Sequence, residues 1–153
     1  MTESNALVPP RGVTPHLICK GAANAIDFYK AAFDAQELVR LPGKDGRLMH
    51  AALMINGGMV MLVDEFPEMA GAGASPQTLK GSPVTLHIYV PDAAAAIAKA
   101  AAAGATVTMP AQPMFWGDMY GMVTDPFGHV WSIATPMGPA KTSEELAAAM
   151  KGA

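Results

Sequence analysis

The sequence predicts an α+β fold: two β-α-β-β-β modules related by a pseudo-twofold, with a curved, mostly antiparallel sheet around a cleft. Two observations carry this. The chain repeats itself 71 positions on, so that Thr14-Pro15-His16-Leu17 aligns with Thr85-Leu86-His87-Ile88 and Ile26 with Ile97. Gly57, ahead of Met59-Val60-Met61-Leu62, likewise aligns with Gly128, ahead of Val130-Trp131-Ser132-Ile133. Each copy also reads as a strand, an Ala-rich helix and three further strands parted by turn signals. A repeat of this length is too long for a solenoid unit and too short for two independent cores. Two half-domains therefore share one core, and small ligands bind where such halves meet.

Residues 1–12 read as an arm, because Pro9-Pro10 excludes a regular helix. Module one spans residues 13–65. Val13 to Cys19 is a strand, and Gly21 to Phe33 is a helix with Ile26, Tyr29 and Phe33 on one stripe. Gln36 to Leu41, Arg47 to Ile55 and Met59 to Asp64 are strands, the last two joined by the hairpin signal Asn56-Gly57. Residues 66–82, rich in Gly, Ala, Ser and Pro, read as a linker over the cleft. Module two spans residues 83–135. It holds a strand from Val84 to Val90, then a helix capped by Asp92 and ended by Gly104. The strands Ala105 to Met109, Met119 to Thr124 and His129 to Thr135 follow, the last two flanking the turn Asp125-Pro126-Phe127-Gly128. In the tail, residues 136–153, Thr142 and Glu145 have capping-box spacing ahead of a final helix.

The chain has 153 residues, 51% of them hydrophobic and 15% charged, which predicts one folded domain. With a net charge of −3 and no Lys/Arg cluster, nucleic acid is not an expected partner. The apolar stretch from Asp92 to Met109 contains a Lys and a Gly, so a packed helix is expected and a membrane span is not. Met1 to Asn5 lacks a basic head and an apolar stretch, and the single cysteine, Cys19, has no intrachain partner; both point to the cytoplasm. Within Leu17-Ile18-Cys19 that thiol reads as a small buried hydrophobe.

The paired modules ending in Asp125-Pro126-Phe127-Gly128-His129 resemble the vicinal oxygen chelate superfamily, which includes glyoxalase I, bleomycin-resistance proteins and extradiol dioxygenases. Ala25-Ile26-Asp27-Phe28-Tyr29-Lys30, Gly46-Arg47-Leu48-Met49-His50-Ala51 and Phe115-Trp116-Gly117-Asp118-Met119-Tyr120-Gly121 are similar to its PhnB-like branch. The resemblance implies a homodimer. It also implies four metal-ligand positions, a first-strand and a last-strand residue from each module. These positions fall at Thr14, Met61, Thr85 and Ser132, a set poor in donors for a divalent ion. No metal and no other cofactor is therefore expected.

His16 and His87 lie two residues beyond the threonines, on the same strand face, and both are expected to point into the cleft. Trp116 and Tyr120 are expected to line it, with Asp118 near its mouth, as flat walls and polar anchors. The reading is a small-molecule binding protein for a mostly apolar organic compound. Its alternatives are a metal-dependent glyoxalase-type lyase or isomerase using His16, His87 and Glu65, and a non-catalytic interaction protein with a vestigial cleft. Relatives in the branch often carry an acid at Ala52 and an arginine at Met119, so a strongly anionic ligand is disfavoured. His50 alternates with apolar residues and reads as facing solvent or a partner. Arg47 and Asp64 read as solvated strand residues.

Overall fold

The computed structural model describes residues 9–153; most of the expected N-terminal arm, residues 1–8, lies outside them. In chain order the elements are β1 (His16–Cys19), α1 (Ala22–Phe33), β2 (Gln36–Pro42), β3 (Leu48–Ile55), β4 (Gly58–Asp64) and α2 (Pro76–Leu79). Then follow β5 (Thr85–Tyr89), α3 (Ala93–Ala103), β6 (Thr106–Pro113), β7 (Asp118–Thr124), β8 (Val130–Pro136) and α4 (Ser143–Lys151). The strands form two separate four-stranded sheets rather than one continuous one, ordered β1-β4-β3-β2 and β5-β8-β7-β6. In each, the edge strand β1 or β5 runs parallel to its neighbour and the other pairs are antiparallel. The ladders repeat too, with His16 opposite Met61 and His87 opposite Ser132.

Local chemistry sets the boundaries. Asn56 and Gly57 adopt φ of 50° and 82°, the positive pair that a tight hairpin between β3 and β4 requires. Asp92 caps α3 by accepting the Ala95 N–H, and Thr142 and Glu145 form a complete capping box on α4. The start of α1 has no side-chain cap of its own. Its free N–H groups are satisfied from across the fold: Asp64 Oδ1 accepts from Gly21 and Ala22, both at 2.9 Å, while Oδ2 accepts from Leu48 N–H at 2.7 Å. Asp64 is thus buried rather than solvated. Arg47 is likewise engaged, pairing with Asp45 and Glu68 and lying over the Phe66 ring. The linker contains α2, capped by Ser75, and its Gly73 rests against Ile18 on β1.

One face of each sheet packs on its helix, and α1 packs on α3, so that both modules share a single apolar core. Tyr29 and Phe33 of α1 pack against Trp131 of β8 with their rings tilted to it. His129 Nε2 lies 3.0 Å from the Ile18 carbonyl, and Lys99 reaches Asp34 at 2.6 Å. Among the described residues no helix is long and apolar enough to cross a membrane.

Two buried protons in this core set an alkaline limit. Burial, then the nearby Asp125 and Asp64 carboxylates, push the Cys19 thiol up; burial and Asp125 hold the Tyr29 phenol well above its ordinary value. An unfolded chain releases these protons near pH 8.5 and 10, whereas the folded chain keeps them. The unfolded state then binds fewer protons, so stability is full below about pH 8.5 and falls as pH rises, by up to about 1.4 kcal/mol per pH unit per group. Urea midpoints measured from pH 7 to 11 should decline accordingly, and Cys19→Ala should flatten the first part of the decline. A wild-type midpoint constant to pH 11 would contradict this account.

Candidate functional site

Strand alternation leaves each sheet with a second face, turned away from the shared core. On sheet one this face carries His16, Ile18, His50, Ala52, Met54, Met59, Met61 and Val63. His16 and His50 have ring centroids 6.2 Å apart in an edge-on arrangement. Partial burial, and secondarily the neighbouring His50, lower the proton affinity of His16. On sheet two the face carries His87, Tyr89, Asp118, Tyr120, Met122 and Ser132. His87 Nδ1 lies 2.6 Å from Ser132 Oγ. Around it the rings form a continuous wall: Tyr89 edge-on at 4.6 Å, Tyr120 stacked at 6.0 Å, and Trp116 edge-on to Tyr120 at 5.2 Å.

The structure therefore brings His87, Trp116 and Tyr120 together and places His16 in a different cluster, with His50. Asp118 opens β7, where its carbonyl accepts the Met114 N–H at 2.8 Å. Among the described residues the Asp118 carboxylate takes part in no hydrogen bond. A cleft of about 800 Å³ does lie between the modules. It is bounded by the β3–β4 hairpin, the outer edge of β5 and the segment from Pro9 to Pro15, with Trp131 at its floor. Of the five predicted ligand-binding residues, His87 lines it and His16, Trp116, Asp118 and Tyr120 do not. Arg11 at its rim and Tyr89 along β5 were not anticipated from sequence.

The last-strand positions that metal-dependent relatives would fill with carboxylates hold Met61 and Ser132. Facing them across the ladders are His16 and His87, not the threonines at 14 and 85. With a thioether and a hydroxyl in place of two carboxylates, the set does not fit a hard divalent ion. The other carboxylate considered, Glu65, is engaged elsewhere: it accepts the Ser75 N–H at 2.8 Å and the Thr78 hydroxyl at 3.0 Å, bonds that lower its pKa. It tethers the linker to the end of β4. Among the described residues no three His, Cys, Asp or Glu side chains gather.

Comparison with known proteins agrees with this architecture. Residues 13–133 match the family model described as Glyoxalase/Bleomycin resistance protein/Dioxygenase superfamily. Uncharacterized protein Rv0887c of Mycobacterium tuberculosis is 50% identical over 137 residues, covering 89% of this chain and 81% of the relative. Among solved structures, an Arabidopsis thaliana gene product superposes with a TM-score of 0.65 at 29% identity, over 82% of this chain and 99% of that one. A PhnB protein from Bacillus cereus superposes with a TM-score of 0.62 at 18% identity, over 82% and 99% of the two chains.

Proposed function

Because the chain belongs to the glyoxalase/bleomycin resistance protein/dioxygenase superfamily, we propose that it is a PhnB-like member that holds a small, mostly apolar organic molecule between modules, without the divalent metal of metal-dependent relatives. The observation that supports this most is the make-up of the two open sheet faces. The first is apolar with three methionines and the second is lined by aromatic rings; histidines and hydroxyls are the central polar groups, and the carboxylate of Asp118 stands at the start of β7, two residues from Tyr120 on the same face. Such walls suit a flat aromatic or dicarbonyl compound anchored by few hydrogen bonds. Methionines adapt to its shape.

Each face is half a cleft, and in a single chain the two belong to separate sheets. A twofold pairing of chains that lays face one on face two does so twice, giving two closed sites. The reading therefore includes a homodimer, with His16 of one protomer approaching His87 of its partner. A cytoplasmic setting, where a lone buried thiol such as Cys19 stays reduced, belongs to the same reading.

A thermal-shift screen of small aromatic and dicarbonyl compounds supplies the probe, and calorimetry on Trp116→Ala and His87→Ala tests the site. Loss of the Trp116 wall should weaken binding by about 1–3 kcal/mol. If both variants stay folded and bind as wild type does, the site lies elsewhere. Sedimentation at micromolar concentration should give a dimer; a monomer would refute the pairing.

A further inference from the structure

A second cavity, of about 340 Å³, lies between the end of α1, the start of α3 and the β3–β4 hairpin. Phe33, Ile88, Val90 and Ala96 give it an apolar lining, and the exposed Asp34, Asn56, Asp92 and Lys99 stand at its rim. Ile88 alternates on β5 with His87 and Tyr89 and packs toward the core, so this cavity opens on the helix side of the sheet and not on the open face. The pseudo-twofold supplies a filled copy of it. Under the 71-residue offset Lys99 of α3 corresponds to Phe28 of α1, and Asn56, ahead of Gly57, to Phe127, ahead of Gly128. Phe28 and Phe127 are buried, with ring centroids 6.3 Å apart. In the other half Lys99 Nζ is drawn out to Asp34 at 2.6 Å, and Asn56 Nδ2 donates to the Tyr89 carbonyl at 2.7 Å. One half of the molecule thus packs two rings at positions where the other leaves a cavity.

We propose that this cavity binds a single-ring aromatic amine in its protonated form, the ring taking the place that phenylalanine fills in the repeat and the ammonium lying at the rim. Size allows it. An apolar cavity of about 150 Å³ already holds benzene, so this one has room for a ring and a short arm. Phe33 supplies an aromatic wall. Charge selects the arm. Two carboxylates and one ammonium stand at the rim, and the ammonium is already paired with Asp34. Asp92 commits Oδ1 to the Ala95 N–H at 3.0 Å, and its Oδ2 takes part in no hydrogen bond among the described residues. An incoming ammonium therefore finds an open acceptor of opposite charge, whereas an incoming carboxylate meets net repulsion.

This site uses none of His87, Tyr89, Trp116 and Tyr120, so it stands or falls apart from the ligand proposed for the open faces. Asn56 and Ile88 border the larger cleft as well, and the test therefore reads residues that do not. The full chain, isotope-labelled, is titrated at neutral pH with phenethylamine and its amide resonances are followed. Saturable shifts are expected at Phe33, Asp34, Ala96 and Lys99, with a dissociation constant on the order of a millimolar or tighter, and none at Trp116 or Tyr120. Phenylacetate, a similar ring with the opposite charge, should bind more weakly by about fivefold or more. Asp92→Asn keeps a capping side chain but removes the charge, and should weaken phenethylamine about two- to fivefold. Lys99→Phe copies the repeat: it should abolish the saturable shifts and, by filling the cavity, raise the urea midpoint of the free protein. Lys99→Ala frees Asp34 and adds no ring, so it should bind more tightly than wild type. Lys99 is exposed, and circular dichroism will verify that both variants fold. The proposal fails if wild type shows no saturable shifts at the four residues, if phenylacetate binds as well as phenethylamine, or if Lys99→Phe binds as wild type does.

Discussion

Asp125→Ala is expected to lower folding stability by about 3–5 kcal/mol, among the largest losses open to a single substitution here. The carboxylate is buried and accepts four hydrogen bonds. Oδ1 takes the backbone N–H groups of Phe127 and His129, at 2.9 and 3.0 Å, and so folds the β7–β8 turn. Oδ2 takes the Tyr29 hydroxyl at 2.5 Å and the Trp131 indole N–H at 3.0 Å. Tyr29 belongs to α1 of module one, so one side chain shapes a turn and ties the two modules together. Alanine strands four donors without water, each at the cost of a desolvated polar group. Asparagine keeps the oxygen that serves the turn but presents an N–H₂ to two donors, so Asp125→Asn should recover only part. A double-mutant cycle with Tyr29→Phe isolates the tie between modules, and its coupling energy should be clearly non-zero. A loss below 1 kcal/mol for Asp125→Ala in urea unfolding would show that the four bonds do not matter as argued.

Asp125 also shows what could be read before the structure. The turn was legible as Asp-Pro-Phe-Gly because turn chemistry is local, and so were the Asn56-Gly57 hairpin, the Asp92 cap and the capping box at Thr142. The paired modules were legible because the 71-residue offset survives from β1 to β4 and from β5 to β8. What the carboxylates bind was not. Asp64 and Glu65 sit at the end of a strand whose alternation suggests solvent on one side, yet they serve backbone groups 10 to 43 residues away. No pattern in their own neighbourhood records such partners. The pairing of His16 with His50 was hidden for a different reason. The turn between β7 and β8 is one residue longer than the β3–β4 hairpin, so His50 corresponds to Tyr120 rather than to Gly121. A constant offset therefore concealed that each edge-strand histidine has an aromatic neighbour at the same place in its module. The division into two sheets was illegible as well, because it depends on how α1 and α3 dock rather than on any strand's own pattern.

Gly121→Ala should destabilise the fold by about 3 kcal/mol or more, because overpacking here meets backbone and not only side chain. Gly121 lies on the helix-facing side of β7, where a Cβ would press on the end of Ile97 from α3. It would also stand 2.8 Å from the Met109 carbonyl oxygen and 3.0 Å from the Ala111 nitrogen on β6. Ile97 has rotamers to spare, whereas the β6 backbone beside Gly121 is an irregular stretch tied to β7 only at its two ends, through Met109 opposite Met122 and Gln112 opposite Tyr120. A second glycine makes the contrast. At Gly73 the added Cβ meets only the Ile18 side chain, so Gly73→Ala should cost far less. Trimming Ile97 to valine in the Gly121→Ala background should restore a minor part of the loss, since the two backbone contacts remain. Full rescue by Ile97→Val would show that helix packing alone requires the glycine. If β6 is what gives way, the strain falls on the ladder that pairs Tyr120 with Gln112. In that case the variant should disturb the aromatic wall beside His87 as well as stability, which near-ultraviolet circular dichroism below the unfolding transition will register as a change in the tyrosine and tryptophan bands.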